Sequence, residues 1–358
     1  YLREQYAFDT QLDAGYIGTR GNFVHLYVNG LYWGLYMAAE RPDETFNADH
    51  VGGVKENWDI LAGNIITEVE LNEGQRAAYD AMMALVPKEP TTTISDVNYA
   101  LLEQYLDMPL YCDYMIWQFY AQNWDWPRKN WQLACERNPD NPAGPPLRQF
   151  VFRVWDNEST LPWYTQDRTS IGNDLAERVG PAQIYKKIRG HRTFRRVFGD
   201  RVHRLFYNGG AYTTASNLVR WTRSMEHIKR AVVGESARWG DFRVPNSPYT
   251  RDPFPFNGTS NWYSEMEIET NTWFPFRNAV VLNQFRAAGL YPSVSAPTFS
   301  QFGGAISSGF ALAMTAPAGT IYYTRNGSDP ANNDDSVSTS AFAYSAPVPL
   351  AQNTRVRA

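Results

Sequence analysis

The sequence predicts a mixed α+β fold in three parts: a β-rich region near the N-terminus, a mostly helical region, and a small β-sandwich at the C-terminus. Two β-rich runs joined by Asn29-Gly30 indicate the first region. Helical patterns then dominate to about residue 288, interrupted by the strand-like runs NWQLACER and RQFVFRVWD. After Pro292 short β-rich runs and small residues replace them. We therefore expect an N-terminally truncated domain over 1–292 and an incomplete β-sandwich over 293–358.

Composition limits the classes of protein that the chain can belong to. It has 358 residues, of which 43% are hydrophobic and 20% charged, as is typical of a globular protein with about two domains. No apolar run reaches the roughly 20 residues that a membrane-spanning helix needs. The formal net charge of -4 argues against a nucleic-acid partner. The chain does not start with Met and has no signal-like segment, so we expect a mature fragment from which any export signal would have been lost.

Cysteine and histidine give little indication of a metal site. Cys112 and Cys135 form no C-x-x-C pair, and they could be one disulfide or two buried free thiols. The five histidines are scattered, without the H-E-x-x-H spacing of zinc enzymes. We therefore expect no histidine-based metal centre.

The run VHLYVNGLYWGLYMAAE, residues 24–40, predicts a β-hairpin. Asn29 and Gly30 are suited to a two-residue turn because both turn positions require positive φ. Gly34 lies inside the second strand. A glycine there marks a bulge, a close approach of a backbone or ligand, or simply tight packing.

Three helices are predicted next, over about 72–87, 96–107 and 109–121. Pro87 ends the first, Ser95 caps the second, and Pro109 lies in the first turn of the third. The third helix is apolar nearly all round, which predicts that it is buried.

The remaining helical pattern covers about 174–234, with breaks near Gly180, Gly190 and residues 208–212. Basic residues cluster within 186–204, where a solvated helix face is the expected explanation. A loop is predicted over 244–262 and a last helix over about 273–288.

The loop NWDWPRKNW, residues 123–131, places polar side chains beside three tryptophans. Asn123, Asp125 and Asn130 follow directly after the predicted buried helix. Polar groups among bulky aromatics are costly unless a metal, a ligand or the backbone satisfies them.

Asp125 and Asn130 have the spacing that protein kinases use for the Asp that accepts the acceptor hydroxyl's proton and the Asn that binds a metal. A kinase also needs a second Asp after a following strand, and VWDNE supplies Asp156. Glu158 would point to the same side in an extended segment. Hard oxygen ligands of this kind suit Mg²⁺.

A structural explanation of the same residues remains open. Asp125 and Asn130 could cap the neighbouring backbone, and Asp156 could form a salt bridge with Arg128 or Arg153.

Four blocks of the sequence resemble the CotH kinase-like family, the relatives of spore coat protein H. They are VNGLYWGLYMAAERPDETF (28–46), NWDWPRKNW (123–131), VWDNE (154–158) and ESARWGD (235–241). The resemblance covers about residues 20–292 and keeps the order of the family's blocks. It implies an atypical protein-kinase-like fold in a secreted or cell-surface bacterial protein. The segment containing IYYTRNGSDP resembles the C-terminal sandwich of chitobiase and β-hexosaminidase.

The resemblance also implies cofactors and roles. It implies ATP with Mg²⁺ or Mn²⁺, and Asp125 as the catalytic base or positioning residue. It implies that Asn130 and Asp156 are metal ligands and that Glu158 is a further one. By the same resemblance, the hairpin residues Asn29, Gly30 and Gly34 would lie over the nucleotide.

One position departs from the family pattern. Many relatives carry an Asp-x-x-Lys block whose Lys contacts phosphates, and here WDILAG places Ala62 at that position. Loss of a phosphate-binding cation would weaken transition-state stabilisation by several kcal/mol, roughly the contribution of one electrostatic contact. Four cations could replace it: Arg41, Lys55, Arg128 and Lys129. Glu40 could orient such a cation, or it could be an ordinary surface residue.

The sequence leaves three functions open. The first is transfer of phosphate from ATP to Ser or Thr of an extracellular or envelope protein. The second is a pseudokinase-like structural or surface-assembly protein, which Ala62 favours. The third is another ATP-dependent transfer such as adenylylation, since fold alone does not determine function. The C-terminal module could also bind carbohydrate through Tyr322, Tyr323 and Tyr344, although tyrosines in the core of the strands are the more common explanation.

Overall fold

The computed structural model describes residues 2–65, 68–89, 91–127, 129–170, 180–243, 252–254 and 261–358. The main strands are β1 (Gly21–Val28), β2 (Leu31–Ala39), β3 (Trp58–Ile65), β4 (Glu68–Glu73), β5 (Trp131–Glu136) and β6 (Arg148–Val154). The first helices are α1 (Leu2–Asp13), α2 (Glu44–Val51), α3 (Ala77–Ala84), α4 (Asp96–Tyr105) and α5 (Met108–Tyr120). The later helices are α6 (Pro181–Ile188), α7 (Arg192–Phe206), α8 (Thr214–Ile228), α9 (Ala231–Arg243), α10 (Trp262–Ile268) and α11 (Phe274–Ala287), with a π-helical turn over Glu269–Trp273. The predicted mixed α+β class is confirmed.

Strands β1 and β2 form the predicted hairpin. Asn29 and Gly30 have φ of 51° and 80°, as a two-residue turn that matches the strand twist requires. The register shifts inside the hairpin, because Leu26 pairs with Gly34 while Tyr27 pairs with Tyr32. Gly34 therefore lies at a β-bulge, which was one of the interpretations left open for it.

Strands β4, β3, β5 and β6, in that order, form an antiparallel sheet. One face packs on α5, where Phe152 lies 5.6 Å from the ring of Tyr111 and 5.3 Å from that of Tyr114. The opposite face is covered by α2. The sheet is thus buried on both sides near its centre.

Helix α5 is the centre of the larger hydrophobic core, as its apolar sequence predicted. Asp107 caps it by accepting a hydrogen bond from the Leu110 N–H, and Pro109 lies in its first turn. Cys112 in this helix and Cys135 in β5 are buried free thiols, so the disulfide alternative is excluded.

The expected helix over 72–87 is wrong in its first part. Strand β4 runs to Glu73, Gly74 turns the chain at φ 76°, and α3 covers only Ala77–Ala84. Pairing with β3 overrides the helical preference of this segment. The second predicted helix is confirmed, with Ser95 accepting from the Asn98 N–H at its start.

The basic run on α7 is not simply a solvated face. Arg192 and Arg196 pair with Asp335 and Asp329 of the C-terminal module at 3.4 Å each. Arg357 of that module also pairs with Asp200 of α7. These ion pairs join the C-terminal module to the helical region.

The C-terminal module consists of paired two-residue strands around a small core of its own. The pairs join residues 298–299 with 314–315, 311–312 with 348–349, and 322–323 with 342–343. The buried core residues are Leu312, Met314, Tyr323 and Val348. Of the tyrosines considered for carbohydrate stacking, Tyr323 is buried and Tyr344 packs against this core, so the three do not share one exposed face. Among the described segments, no helix has both the length and the apolar character needed to cross a membrane.

Candidate functional site

The loop after α5 holds its buried amide through local hydrogen bonds. Asn123 is fully buried, and its Oδ1 accepts from the Asp125 N–H at 2.9 Å. Its Nδ2 donates to Oδ1 of Asn157 at 3.3 Å. Trp117 of α5 donates to the same Asn157 oxygen at 2.8 Å. Backbone and neighbouring side chains therefore satisfy the hydrogen-bonding groups of Asn123, so its burial requires no metal or ligand. Asp125 and Asn130 remain the candidate functional residues of the loop.

Asp125, Asn130 and Asp156 converge at one edge of the sheet. The Asn130 Nδ2 donates to Oδ2 of Asp125 and to the backbone oxygen of Asp156, at 3.3 Å in both cases. Lys129 places its Nζ 3.7 Å from the same Asp125 oxygen. The strands β5 and β6 create this meeting point, because Trp131 pairs with Val154 just beside the loop ends.

Both Asn130 and Asp156 have a left-handed backbone, with φ of 61° and 53°. Asn and Asp enter this region more readily than other residues with a side chain, but the conformation still costs energy. Such strain is found where the surrounding structure fixes a side chain in a required position.

Glu4 of α1 fixes the turn that carries Asp156. Its Oε1 accepts from the Asp156 N–H at 3.0 Å, and its Oε2 accepts from the Asn157 N–H. Burial raises the pKa of Glu4 to about 7, against the lowering effect of those two hydrogen bonds. Sequence reasoning missed Glu4, because nothing near it in the chain distinguishes it from a surface Glu on a helix.

Negative charge is concentrated around Asp156. Burial raises the pKa of its carboxyl, and Glu158 and Asp125 raise it further, while Lys129 and the hydrogen bond from Asn130 lower it. The Glu158 side chain is exposed, and its backbone oxygen accepts from Arg3 Nη1 at 3.3 Å. A divalent cation would relieve the repulsion between these carboxylates.

The donor set fits a cation that shares its coordination with a substrate. Asp125, Asn130 and Asp156 offer two carboxylates and one amide. Across the described ranges, no group of three or more His, Cys, Asp or Glu side chains is placed to hold a metal alone. Mg²⁺ is commonly bound by one or two carboxylates together with substrate phosphates and water. The residues therefore fit a magnesium–phosphate complex better than an all-protein metal cage.

Part of the alternative explanation holds, because the Asn130 Nδ2 donates to a neighbouring backbone oxygen, that of Asp156. The Asp125 carboxylate contacts Asn130 and Lys129 side chains. No ion pair joins Asp156 to Arg153 in the part of the chain that is described. Arg128, the other expected partner, lies outside the described residues.

The hairpin glycine contacts α9. A Cβ on Gly34, whose φ is 148°, would lie 2.8 Å from Oε2 of Glu235 and 3.1 Å from Nε1 of Trp239. The same Glu235 oxygen accepts from the Leu35 N–H at 2.7 Å, and Trp239 donates to the Trp33 oxygen at 2.6 Å. Gly34 is therefore required for the docking of α9, while Asn29 and Gly30 form the exposed tip of the hairpin.

The candidate cations are spread over the surface. Lys55 pairs with Glu44 at 3.2 Å, and the Arg41 side chain is exposed. Glu40 accepts from the Arg20 N–H at 2.9 Å and pairs with His50, so it orients neither Arg41 nor Lys55 in this structure.

Lys129 is the described candidate cation that contacts a site carboxylate. Ala62 is buried in β3 opposite Gln132 of β5.

The tryptophans of the loop differ in role. Trp126 is buried against Phe119 of α5, with ring centres 6.0 Å apart, as expected. The expectation that Trp124 packs on that helix is wrong, because its side chain is 48% exposed and lies 3.5 Å from the guanidinium of Arg168.

A surface cleft of about 520 Å³ lies between β4, α3 and α6. Glu68, Arg76 and Tyr79 are among its lining residues, and Asp125, Asn130 and Asp156 are not. We place the candidate site at the converging polar side chains, because their chemistry and not the volume of a cleft determines function.

Comparison with known proteins identifies the family of the chain. The family model described as CotH kinase protein matches residues 1–268, which include the hairpin, the loop after α5 and Asp156. A second model, described as Fn3 associated, matches residues 310–358 in the C-terminal module. No curated protein matches the chain. Since the first match covers well over half of the sequence, the chain belongs to the CotH kinase protein family.

Proposed function

We propose that this chain is an ATP-dependent phosphotransferase that acts on Ser or Thr hydroxyls of an extracellular or envelope protein. The observation that carries the proposal is the convergence of Asp125, Asn130 and Asp156, with the Asn130 amide 3.3 Å from atoms of both aspartates. The family match supports a kinase-like protein. Secretion, the acceptor and the type of transfer are parts of the proposal.

Each residue has a role that its position supports. Asn130 and Asp156 would hold Mg²⁺ or Mn²⁺, which when bound neutralises charge on the phosphates of ATP. Asp125 is half-buried at the same edge and would accept the proton of the incoming hydroxyl or orient that hydroxyl. Lys129, 3.7 Å from the Asp125 carboxylate, would hold that carboxylate in place.

Two further groups support these side chains. Glu4 holds the left-handed turn at Asp156 through two backbone N–H groups. Asn123 fixes the start of the loop through the Asp125 N–H. The site is thus built on α1, the end of α5 and the β5–β6 pair, which are all packed elements.

Calorimetric titration of ATP in the presence of Mg²⁺ or Mn²⁺ tests the nucleotide site. We expect wild type to bind ATP only with a metal, and we expect Asp156→Ala to lose this binding. Asp140→Ala, in the exposed turn between β5 and β6, is the matched control and should bind as wild type does. If wild type binds ATP with neither metal, or if Asp156→Ala binds equally well, the proposal fails.

Ala62 favours a second candidate, a pseudokinase-like structural or surface-assembly protein. Position 62 is a buried alanine, where the family resemblance implies a phosphate-binding lysine. A scaffold of this kind would bind nucleotide without transferring phosphate. Transfer of AMP in place of phosphate is distinguished by the label, since ATP labelled in the α-phosphate would then modify protein and ATP labelled in the γ-phosphate would not.

A further inference from the structure

Arg153 of β6 is a buried cation that has no acidic partner among the described residues. Its side chain lies beneath α2, and the residue is 4% exposed. Nη2 donates to Oδ1 of Asn47 at 2.7 Å, and Nε donates to the Ile17 oxygen at 3.4 Å. Nη1 is buried and has no acceptor among the described residues. Phe46 covers the guanidinium, whose Cζ lies 5.6 Å from the ring centre.

A guanidinium in this environment lowers the stability of the folded state. Burying a charge without an ion pair costs several kcal/mol, roughly the penalty per ion in real proteins. Burial lowers the pKa of Arg153 to about 10, which still leaves it charged at neutral pH. Arg277 shows how a structural arginine in this chain is satisfied, since its three nitrogens donate to the oxygens of Tyr120, Tyr164 and Phe119. In Arg153, by contrast, Nη1 has no acceptor among the described residues.

The sheet register places Arg153 on the same face as Ala62. Ala62 pairs with Gln132, and Gln132 pairs with Arg153. Directly paired residues present their side chains on one face. Two strand spacings separate Ala62 from Arg153, or roughly 10 Å between Cα atoms. The long side chain of Arg153 in β6 therefore lies on the same face of the sheet as a lysine at position 62 would.

The same face continues toward the candidate site. Gln132 is two residues after Asn130, and Arg153 is three residues before Asp156, which is roughly 7–10 Å along the strands. The side-chain oxygen of Gln132 is also buried without a hydrogen-bond partner among the described residues. A phosphate chain extending from Asn130 and Asp156 onto this face would reach Arg153 where α2 and Phe46, which cover the guanidinium in this structure, make room for it.

We infer that Arg153 is the phosphate-binding cation of this chain and replaces, from β6, the lysine that is absent at position 62 of β3. This inference rests on the proposed function, because the phosphate belongs to the nucleotide. The unpaired Nη1 would donate to a phosphate oxygen, and the remaining hydrogen bonds to Asn47 and Ile17 hold the guanidinium in position.

Arg153→Met, which keeps the length and removes the charge, tests the inference. Tripolyphosphate alone and ATP with Mn²⁺ are titrated into each variant by calorimetry. A lost charge-assisted hydrogen bond should weaken both affinities about 10- to 100-fold. The affinities decide the question, because loss of the buried charge and loss of the donors to Asn47 and Ile17 change stability in opposite directions. A merely structural arginine would leave both affinities unchanged.

Two variants complete the design. Arg195→Met removes an exposed charge on α7 and should bind both probes as wild type does. Ala62→Lys added to Arg153→Met returns a cation to the same face and should restore part of the lost affinity. If Arg153→Met does not fold, Arg153→Lys replaces it, and we expect a several-fold loss of affinity because lysine lacks the planar fork of donors.

The outcomes separate this inference from the proposed function. ATP binding that depends on Asp156 but is unchanged in Arg153→Met, or in Arg153→Lys where only that variant folds, overturns the role of Arg153 and leaves the nucleotide site standing. Tripolyphosphate binding that depends on Arg153, without metal-dependent ATP binding, supports an anion site and rejects the proposed function. If wild type binds neither probe, both are overturned.

Discussion

Replacing Glu4 by Gln tests whether α1 controls the position of Asp156. The carboxylate of Glu4 accepts both the Asp156 and the Asn157 N–H groups. A glutamine has one oxygen, so its NH₂ group would face the second N–H and could not accept from it. At pH 8 or above, where Glu4 with its pKa of about 7 is ionised, the change removes one hydrogen bond and the negative charge while leaving size almost unchanged.

The expected loss follows from the strain in the turn. Asp156 has φ of 53°, and a left-handed residue with a side chain costs about 1–2 kcal/mol. Two hydrogen bonds to a carboxylate contribute about 1.5–3 kcal/mol each, whereas one neutral bond contributes about 1 kcal/mol. In Glu4→Gln the remaining bond no longer exceeds the strain. Asp156 would then occupy its position for a minor fraction of the time, and ATP affinity with Mn²⁺ should fall roughly 3- to 10-fold.

Two measurements check this prediction. Calorimetry gives the affinity for ATP with Mn²⁺, and amide hydrogen exchange reports the Asp156 and Asn157 N–H groups directly. Both amides should exchange faster in Glu4→Gln. Asp9→Asn is the control on the same helix, because Asp9 pairs with Arg223 away from the site. Unchanged affinity and unchanged exchange in Glu4→Gln would refute the role assigned to this helix.

Two further predictions concern stability and are measured by urea unfolding. Gly34→Ala should lower the free energy of unfolding by about 1–3 kcal/mol more than Gly30→Ala does, because both positions have positive φ but only a Cβ at position 34 meets Glu235. Equal losses of stability in the two variants would contradict the contact with α9. Burial raises the pKa of Glu269 to about 8, above its usual 4.5, so the folded chain holds an extra proton between those values and this group's stabilisation is lost as pH rises through 8. Glu269→Gln should therefore be more stable than wild type at pH 9, by a few kcal/mol at the order-of-magnitude level, and should match it near pH 4, whereas a constant difference would exclude this cause.

Local signals were sufficient for several elements. Asn29-Gly30 requires positive φ at both turn positions, and Ser95 caps α4, so each feature depends on residues that are close in sequence. The apolar sequence of α5 likewise predicted its burial. The spacing of Asp125 and Asn130 located two members of the candidate site, which the structure brings together.

Long-range contacts decided what the sequence did not reveal. The helix predicted over 72–87 begins too early, because residues 72–73 belong to β4, whose structure is determined by its pairing with β3 and not by its own pattern. Glu4 lies 152 residues from Asp156, and no local pattern links them. Arg153 was considered only as a salt-bridge partner, because its burial depends on α2 covering the sheet. Gly34 was open between a ligand and a packing role until α9 was placed beside it.

Transfer of the labelled γ-phosphate of ATP, with Mn²⁺ and casein as the acceptor, tests the central claim most directly. Wild type and Asp125→Asn are compared, each also titrated with ATP. We predict that wild type transfers the label to casein or to itself. Asp125→Asn should bind ATP within a few-fold of wild type yet transfer phosphate about 100-fold more slowly or worse, as expected for a lost general base. Wild type that binds ATP without transferring the label, or equal rates in the two proteins, would contradict the account.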